Sequence, residues 1–301
     1  TDQVGSIVDR DFVDDCMKGV DAVLHAATLH KPHVATHGRQ AFVDTNVTGT
    51  LNLLEASVRE GVDSFVFTST TSTFGDALRP EPGEPAVWVT EELRESAKNI
   101  YGVTKLAAEN LCRMFQRNHA LPCIVLRTSR FFPEDDDNRF KRAEFSNDNL
   151  KVNELLFRRA DIADMVSAHE RALSVAPDTG FDTLIVSATP PFKKDEAEEL
   201  GRNAPAVLAR HFPEYEAQYA RRGWRMFSSI GRVYDNSRAR KVLGWEPEYS
   251  FERAINCLAR GEDYRSPLAR QVGAKGYHET VFDEGPFPVE ETPPIEGGHD
   301  R

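Results

Sequence analysis

The sequence predicts an α/β fold, a doubly wound parallel sheet with helices on both faces. Three observations carry that expectation. Short apolar runs at residues 21–27, 64–69 and 123–128 alternate with longer segments of helical period. The runs are apolar almost throughout, as strands covered on both sides must be. The segments between them are long enough for the right-handed crossovers that join parallel strands.

Each element follows in order. Gly5-Ser6-Ile7-Val8-Asp9 reads as a strand end and residues 11–19 as a short helix. Residues 21–27 form the next strand. Between 41 and 60 the apolar positions Phe42, Val43, Val47, Leu51, Leu54 and Val58 recur near helical spacing, and Gly61 stops the helix. Residues 64–69 run as a strand into the hydroxyl-rich turn that starts at Thr70. A Pro-rich loop, a helix over 97–118 and a strand over 123–128 follow. Beyond Pro133 the chain alternates between pieces that complete the sheet and a small separate lobe. Residues 159–176 read as a strand end and a helix, and residues 181–187 as a strand. From Gly273 onward Pro, Glu and Gly dominate without periodicity, which predicts an extended or disordered tail that can dock on a partner subunit.

Composition narrows the function. Of 301 residues 40% are hydrophobic and 28% charged, ordinary values for a water-soluble protein. The net charge of −11 speaks against nucleic acid or an anionic membrane as partner. No run of about eighteen apolar residues exists to span a bilayer. Cys16, Cys112, Cys123 and Cys257 are scattered without metal-type spacing, so free thiols and a cytoplasmic location are expected. His30, His33 and His37 are spaced i, i+3, i+7, but they sit in a polar loop interrupted by Pro32. No metal site is expected there. His33 is instead the candidate for shaping a substrate mouth.

The chemistry concentrates in Tyr101-Gly102-Val103-Thr104-Lys105. Residues four apart share a helix face, so phenol and ammonium can meet. At roughly 4 Å and an effective dielectric near 20, the lysine would favour the phenolate by up to about 4 kcal/mol. That predicts a tyrosine pKa lowered by as much as about 3 units, toward neutrality. Such a phenol exchanges protons with an alcohol or carbonyl at pH 7. Thr70, at the end of its strand, can hold the same oxygen. On an exposed helix the pair would be worth only a few tenths of a kcal/mol. In open parallel sheets ligands bind beyond the carboxyl ends of the strands. That gathers residues 26–30, 68–70 and 128–132 around one crevice.

This order of parts resembles the extended short-chain dehydrogenase/reductase family, in its NAD-dependent epimerase/dehydratase branch. Further matches lie at residues 20–27, 46–54, 161–166 and 233–247. The resemblance implies a Rossmann-type domain over 1–132 that is completed by about 158–187. It implies a remainder over 133–270 that includes a substrate lobe, with the tail at 271–301. It implies NAD or NADP as cofactor, a small-molecule substrate of the nucleotide-sugar kind, and a homodimer. Tyr101, Lys105 and Thr70 become the catalytic set: Tyr101 moves the proton, Lys105 sets its pKa and holds the ribose, Thr70 orients the substrate oxygen. Cofactor contacts carry over to Ser6, Ile7, Ala26, Ala27, Thr28, Thr45, Thr68 and Ser129, besides Tyr101 and Lys105. Substrate contacts carry over to Thr70, Arg130 and His33.

Several positions depart from the family pattern. The opening Gly-x-x-Gly-x-x-Gly turn, which grips the pyrophosphate, does not occur. The chain is therefore expected to be a fragment of a longer gene product that lacks its first βαβ unit of about 30 residues. The strand at 21–27 would then present an unpaired apolar edge prone to aggregation. Ser6 stands where the family has an acidic adenine contact. Thr71 and Ser72 replace the acid pair of the dehydratases, so 4,6-dehydration is not expected. Arg130 replaces an asparagine; its guanidinium can clamp phosphate or carboxylate, or pair with the acidic run at 134–137. Arg221, Arg222, Arg225 and Arg232 form a basic cluster in the region where relatives hold substrate phosphates, or pair with local carboxylates. The leading expectation is a hydride-transferring oxidoreductase or epimerase acting on a sugar nucleotide or related hydroxy or keto compound. The alternatives are an NADP-dependent carbonyl reductase of the same family and a non-catalytic dinucleotide sensor. A sensor has no need of Thr70, Tyr101 and Lys105.

Overall fold

The computed structural model describes residues 3–81, 83–136, 138–274 and 276. The expected tail at 271–301 lies almost wholly outside them. Four parallel strands form the main sheet: β1 (Ala22–His25), β2 (Ser64–Thr70), β4 (Cys123–Thr128) and β5 (Phe181–Val186), side by side in that order. A second, two-stranded parallel sheet pairs β3 (Val87–Val89) with β6 (Arg232–Tyr234). The sheet and its helices make an α/β Rossmann-like fold, as the sequence predicts.

The period of two along the strands explains both layers. Phe65 and Phe67 point to one face, where they pack with Val13 of α1 (Arg10–Met17), Leu54 and Ala108. Val66, between them, points to the other face, with Ile124, Leu126 and Leu184. The first face is covered by α3 (Gly49–Glu60) and α4 (Ile100–His119). The second is covered by α7 (Ile162–Thr179), whose Ala168, Ala172 and Ala176 recur at four-residue spacing and let the helix lie close to the sheet. Each fully buried Leu, Ile, Val or Phe side chain in these layers contributes roughly 1.5–3 kcal/mol relative to an exposed one.

A separate core forms the C-terminal lobe around Leu156, Leu200, Val207, Val233 and Ile255. Helices α6 (Asn147–Leu155), α8 (Ala197–His211), α9 (Tyr215–Ala220) and α11 (Phe251–Arg260) build it, and α5 (Arg139–Glu144), α10 (Ser237–Leu243) and α12 (Pro267–Val272) lie in the same part of the chain. Of these, α10 turns back onto the main sheet through Ala239 and Leu243.

Two local expectations need correction. Residues 5–9 are not a strand end but a turn, closed by the Asp9 amide on the Ser6 carbonyl at 3.0 Å. Asp9 then caps α1 by accepting from the Phe12 amide. The helix expected over 41–60 is three pieces: α2 (Arg39–Phe42), a π-helical turn Val43–Thr48, and α3. Among the described residues β1 pairs only with β2, and Leu24, on one face of this edge strand, is 51% exposed.

Candidate active site

A cavity of about 410 Å³ opens beyond the carboxyl ends of β2 and β4, with Thr70, Tyr101, Ser129 and Arg130 in its wall. Local structure explains how Tyr101 gets there. Asn99 caps α4 by accepting from the Gly102 amide at 2.9 Å, which fixes where the helix begins. A Cβ at position 102 would lie 2.8 Å from the Ser72 carbonyl oxygen, so glycine lets the first turn of α4 press onto the turn after β2. That contact brings Tyr101 beside Thr70 in the cavity wall, near enough for the Thr70 hydroxyl to act on the phenol.

The electrostatics differ from the sequence expectation. Tyr101 is 3% exposed, and burial pushes its phenol above the usual value, opposed by the nearby Thr70 hydroxyl. Lys105 is also buried; its ammonium donates to the Thr68 carbonyl at 2.7 Å and lies 3.9 Å from the centre of the Phe67 ring. Burial pushes Lys105 down to about 7. The expected lowering of the Tyr101 pKa by Lys105 is thus absent from this structure, because desolvation outweighs a cation whose hydrogen bond goes elsewhere.

Beneath this pair lies a buried ionic cluster. Arg127 donates to Glu109 through Nε at 3.1 Å and Nη2 at 2.7 Å, and to Glu95 at 2.5 Å. Ser69 donates to the same Glu109 carboxylate at 2.5 Å. Four elements, the ends of β2 and β4, α4 and the loop before it, are locked together directly under the cavity.

The expected cofactor contacts fall into two groups. Ala26 and Ala27 follow β1 as small exposed residues, open to an approaching ligand. Thr28 donates to Asn46 at 2.9 Å, and Asn46 also holds the Leu29 amide and carbonyl and the Thr104 hydroxyl, so the turn after β1 is rigid. Ser129 lines the cavity and is 3% exposed, and its buried Oγ has no partner among the described residues. Thr45 is half-buried in the π-helical turn. The other residues are engaged within the protein. Thr68 reaches the site through its carbonyl, while its hydroxyl bonds His169 at 2.8 Å on the opposite face. Ser6 Oγ accepts from the Val8 amide, and the Ile7 side chain fills the space over Gly49.

The substrate side also shifts. His33 accepts from the His30 amide at 2.8 Å and is not in the cavity wall. His30 takes the place expected of it, its ring 5.0 Å from that of Tyr101 and 4.9 Å from that of Phe132. Burial pushes His30 down to about 3, so it is neutral at pH 7. Arg130 lines the cavity and also pairs with Asp136 at 2.5 Å, within the acidic run. Of the later basic cluster only Arg232 lines the cavity; Arg225 pairs with Glu144 and Arg222 bonds Gln218. Arg158 and Arg159, which no motif marked, stand beside it.

Residues 3–176 match the family model described as the NAD dependent epimerase/dehydratase family. The chain belongs to this family. It is therefore an enzyme of that family, with NAD or NADP as cofactor. A UDP-glucose 4-epimerase of Rhizobium meliloti is 28% identical over 82% of this chain and 79% of its own length. The low-salt glycan biosynthesis protein Agl12 of Haloferax volcanii is 25% identical over 83% and 78%. Among solved structures, a short-chain dehydrogenase/reductase superfamily protein from Agrobacterium tumefaciens with bound NAD is 25% identical. That match covers 89% of this chain and 87% of the other, with a TM-score of 0.57. RMD from Pseudomonas aeruginosa, complexed with NADPH, has the same TM-score at 22% identity over 86% and 87%, and shares the fold. No helix among the described residues is long and apolar enough to cross a membrane.

Proposed function

We propose that this protein is a nucleotide-sugar epimerase in which Tyr101 is the acid/base. The observation that carries the reading is the buried Tyr101 phenol set beside Thr70 in the wall of a cavity at the carboxyl ends of β2 and β4. The names of two relatives, both UDP-glucose 4-epimerases, support the substrate class.

Bound NAD or NADP supplies reversible hydride transfer at the substrate carbon. The protein does the rest. Ala26, Ala27 and Ser129 would hold the dinucleotide, the alanines by leaving the backbone open and Ser129 through its unpartnered hydroxyl. Thr70 orients the substrate oxygen, and Tyr101 takes its proton as the hydride leaves and returns it afterwards. A buried phenol above its usual pKa is a poor base at pH 7. Charge brought close to Tyr101 on cofactor binding, together with Lys105, has to lower it for turnover. His30 packs against Tyr101, with Phe132 behind it, and helps keep water from the phenol. In this reading Thr71 and Ser72, in place of an acid pair, leave no group to expel water from the sugar. The protein works as a cytoplasmic homodimer, with residues 133–270 supplying the substrate lobe and its four cysteines remaining free thiols.

The test is interconversion of UDP-glucose and UDP-galactose by the purified protein with NAD. Tyr101→Phe should lower kcat by about 10²–10⁴-fold while the dinucleotide still binds. Net consumption of NADPH with a ketone, without sugar inversion, would replace the epimerase by a reductase. Unchanged turnover in Tyr101→Phe would remove the phenol from the chemistry.

A further inference from the structure

An acidic run such as Glu134-Asp135-Asp136 ordinarily stays in water, yet Asp136 is only 8% exposed. It lies on the basic wall of the cavity. Asp136 Oδ2 accepts from Arg130 Nη1 at 2.5 Å and is 3.9 Å from Arg158 Nη2. Arg130, Arg158 and Asp136 all line the cavity that holds Tyr101.

The same arginines have a second carboxylate partner, and the two carboxylates differ. Glu154 is fully buried and is not in the cavity wall. It accepts from Arg158 Nη2, from Arg159 Nε at 2.8 Å and from Arg130 Nη1 at 3.2 Å. Its loss would leave three guanidiniums short of a counter-charge, so Glu154 is a fixed part of the fold. Asp136 stands on the open side and is anchored independently of the arginines it faces. Its Oδ1 accepts from the Asn138 amide at 2.8 Å, where α5 is capped, and its carbonyl accepts from Arg142 at 2.5 Å. Exchange at Arg130 therefore breaks only the Oδ2 contacts and leaves the loop in place.

We propose that Asp136 is an internal counter-ion that occupies the guanidiniums of Arg130 and Arg158 until an oxyanion of the ligand displaces it. A carboxylate tethered beside its partner competes at an effective concentration of roughly millimolar or more. A multiply charged oxyanion offers the arginines more charge and more acceptors, and so displaces it. A neutral ligand has nothing to exchange. Asp136 thus sets how much negative charge a ligand must bring to be held at this wall. It is a specificity residue that acts through the arginines and not at the reacting atoms. The inference rests on the reading of the cavity as the substrate site, not on the epimerase reaction.

Calorimetric titration of the whole chain with inorganic pyrophosphate at pH 7, without turnover, tests it. Asp136→Asn keeps an acceptor for the Asn138 amide and should bind pyrophosphate at least about tenfold more tightly than the parent. Asp135→Asn removes the same charge from an exposed neighbour in the cavity wall. It should change the affinity by less than about threefold, because solvent screens that position. Arg130→Gln added to Asp136→Asn should abolish the gain. If Asp136→Asn does not fold, Asp136→Ser, whose hydroxyl also accepts from the backbone, carries the same expectation. Equal or weaker binding by a folded Asp136 variant would overturn the proposal, since losing a carboxylate that merely orients Arg130 weakens binding. Equal gains in Asp135→Asn and Asp136→Asn, or no measurable binding by any folded variant, would overturn it as well. A failed epimerase assay alongside tighter pyrophosphate binding in Asp136→Asn would remove the reaction and spare this role.

Discussion

Lys105 donates its hydrogen bond to the carbonyl of Thr68, at 2.7 Å, and not to the phenol of Tyr101 one helical turn away. The carbonyl belongs to the strand that ends in Thr70, the residue beside Tyr101 in the cavity wall. Tyr101, Lys105 and Thr70 are thus gathered at one strand end. The ammonium is placed over the Phe67 ring by packing, where desolvation dominates its charge state.

The position of Lys105 has a consequence for stability. Its pKa is about 7 folded, against an ordinary value of 10.5. Between those values the unfolded chain binds the proton more readily, so stability rises with pH from about 7 to about 10.5. The contribution is full above the upper value and lost as pH falls toward 7. The slope is about 1.4 kcal/mol per pH unit for one such group. Urea midpoints taken at pH 7, 8 and 9 should climb in the parent and stay flatter in Lys105→Met. Equal slopes in both proteins would show that Lys105 is not the titrating group. Turnover in Lys105→Met should fall by about 10²–10⁴-fold, read as kcat with saturating cofactor.

Much of this arrangement is legible in the sequence, for definite reasons. Strands β2 and β4 lie buried on both sides, so their composition alone marks them. The Tyr101 and Lys105 spacing fixes a shared helix face, but spacing does not say which acceptor an ammonium finds; that depends on the Thr68 carbonyl and the Phe67 ring, supplied by another element. His30 and His33 look equivalent in a polar loop. What separates them is tertiary packing of His30 against Tyr101 and Phe132. Residues 5–9 read as a strand because Ile7 and Val8 are β-branched, yet the Ser6–Asp9 turn and the packing of Ile7 on Gly49 prevail. Arg158 and Arg159 carry no motif. Only their shared Glu154, four and five residues before them, hinted that the segment is ionic.

The Glu109–Arg127 pair should be costly to break and cheaper to remove whole. Deleting one partner leaves the other charge buried, which typically costs about 3–5 kcal/mol. Glu109→Leu and Arg127→Met should each lower the unfolding free energy by that order. The Glu109→Leu/Arg127→Met double variant should lose less than the two single losses added together. Denaturant titration of all variants gives the coupling directly. Additive losses would mean that the two side chains stabilise the fold independently.

Gly75 is a backbone requirement in the loop that approaches the site. Its φ is +48°, and a Cβ there would lie 1.9 Å from the Ser96 carbonyl oxygen. Gly75→Ala must move the chain at Ser96, three residues before the Asn99 cap of α4. A loss of roughly 1–3 kcal/mol in stability is expected, together with a higher KM because Lys98 and Asn99 in the cavity wall shift with it. Circular-dichroism melts and initial rates measure the two effects. A variant as stable and as active as the parent would mean that this loop is free to relax.

The edge of the main sheet predicts a solution property. On β1, Val23 and His25 face the interior, whereas Ala22 and Leu24 are exposed, and β2 is the strand's partner among the described residues. Unpaired backbone groups beside an exposed leucine are a template for another strand. Self-association of the purified chain should therefore grow with concentration, and Leu24→Lys should reduce it by placing a charge at the edge. Because Leu24 is half exposed, the substitution should change stability by no more than about 0.5 kcal/mol. Light scattering across a concentration series, alongside a denaturant titration, separates the two effects. Equal association by parent and variant would show that contacts between copies form elsewhere. A large loss of stability would show instead that Leu24 is packed in solution.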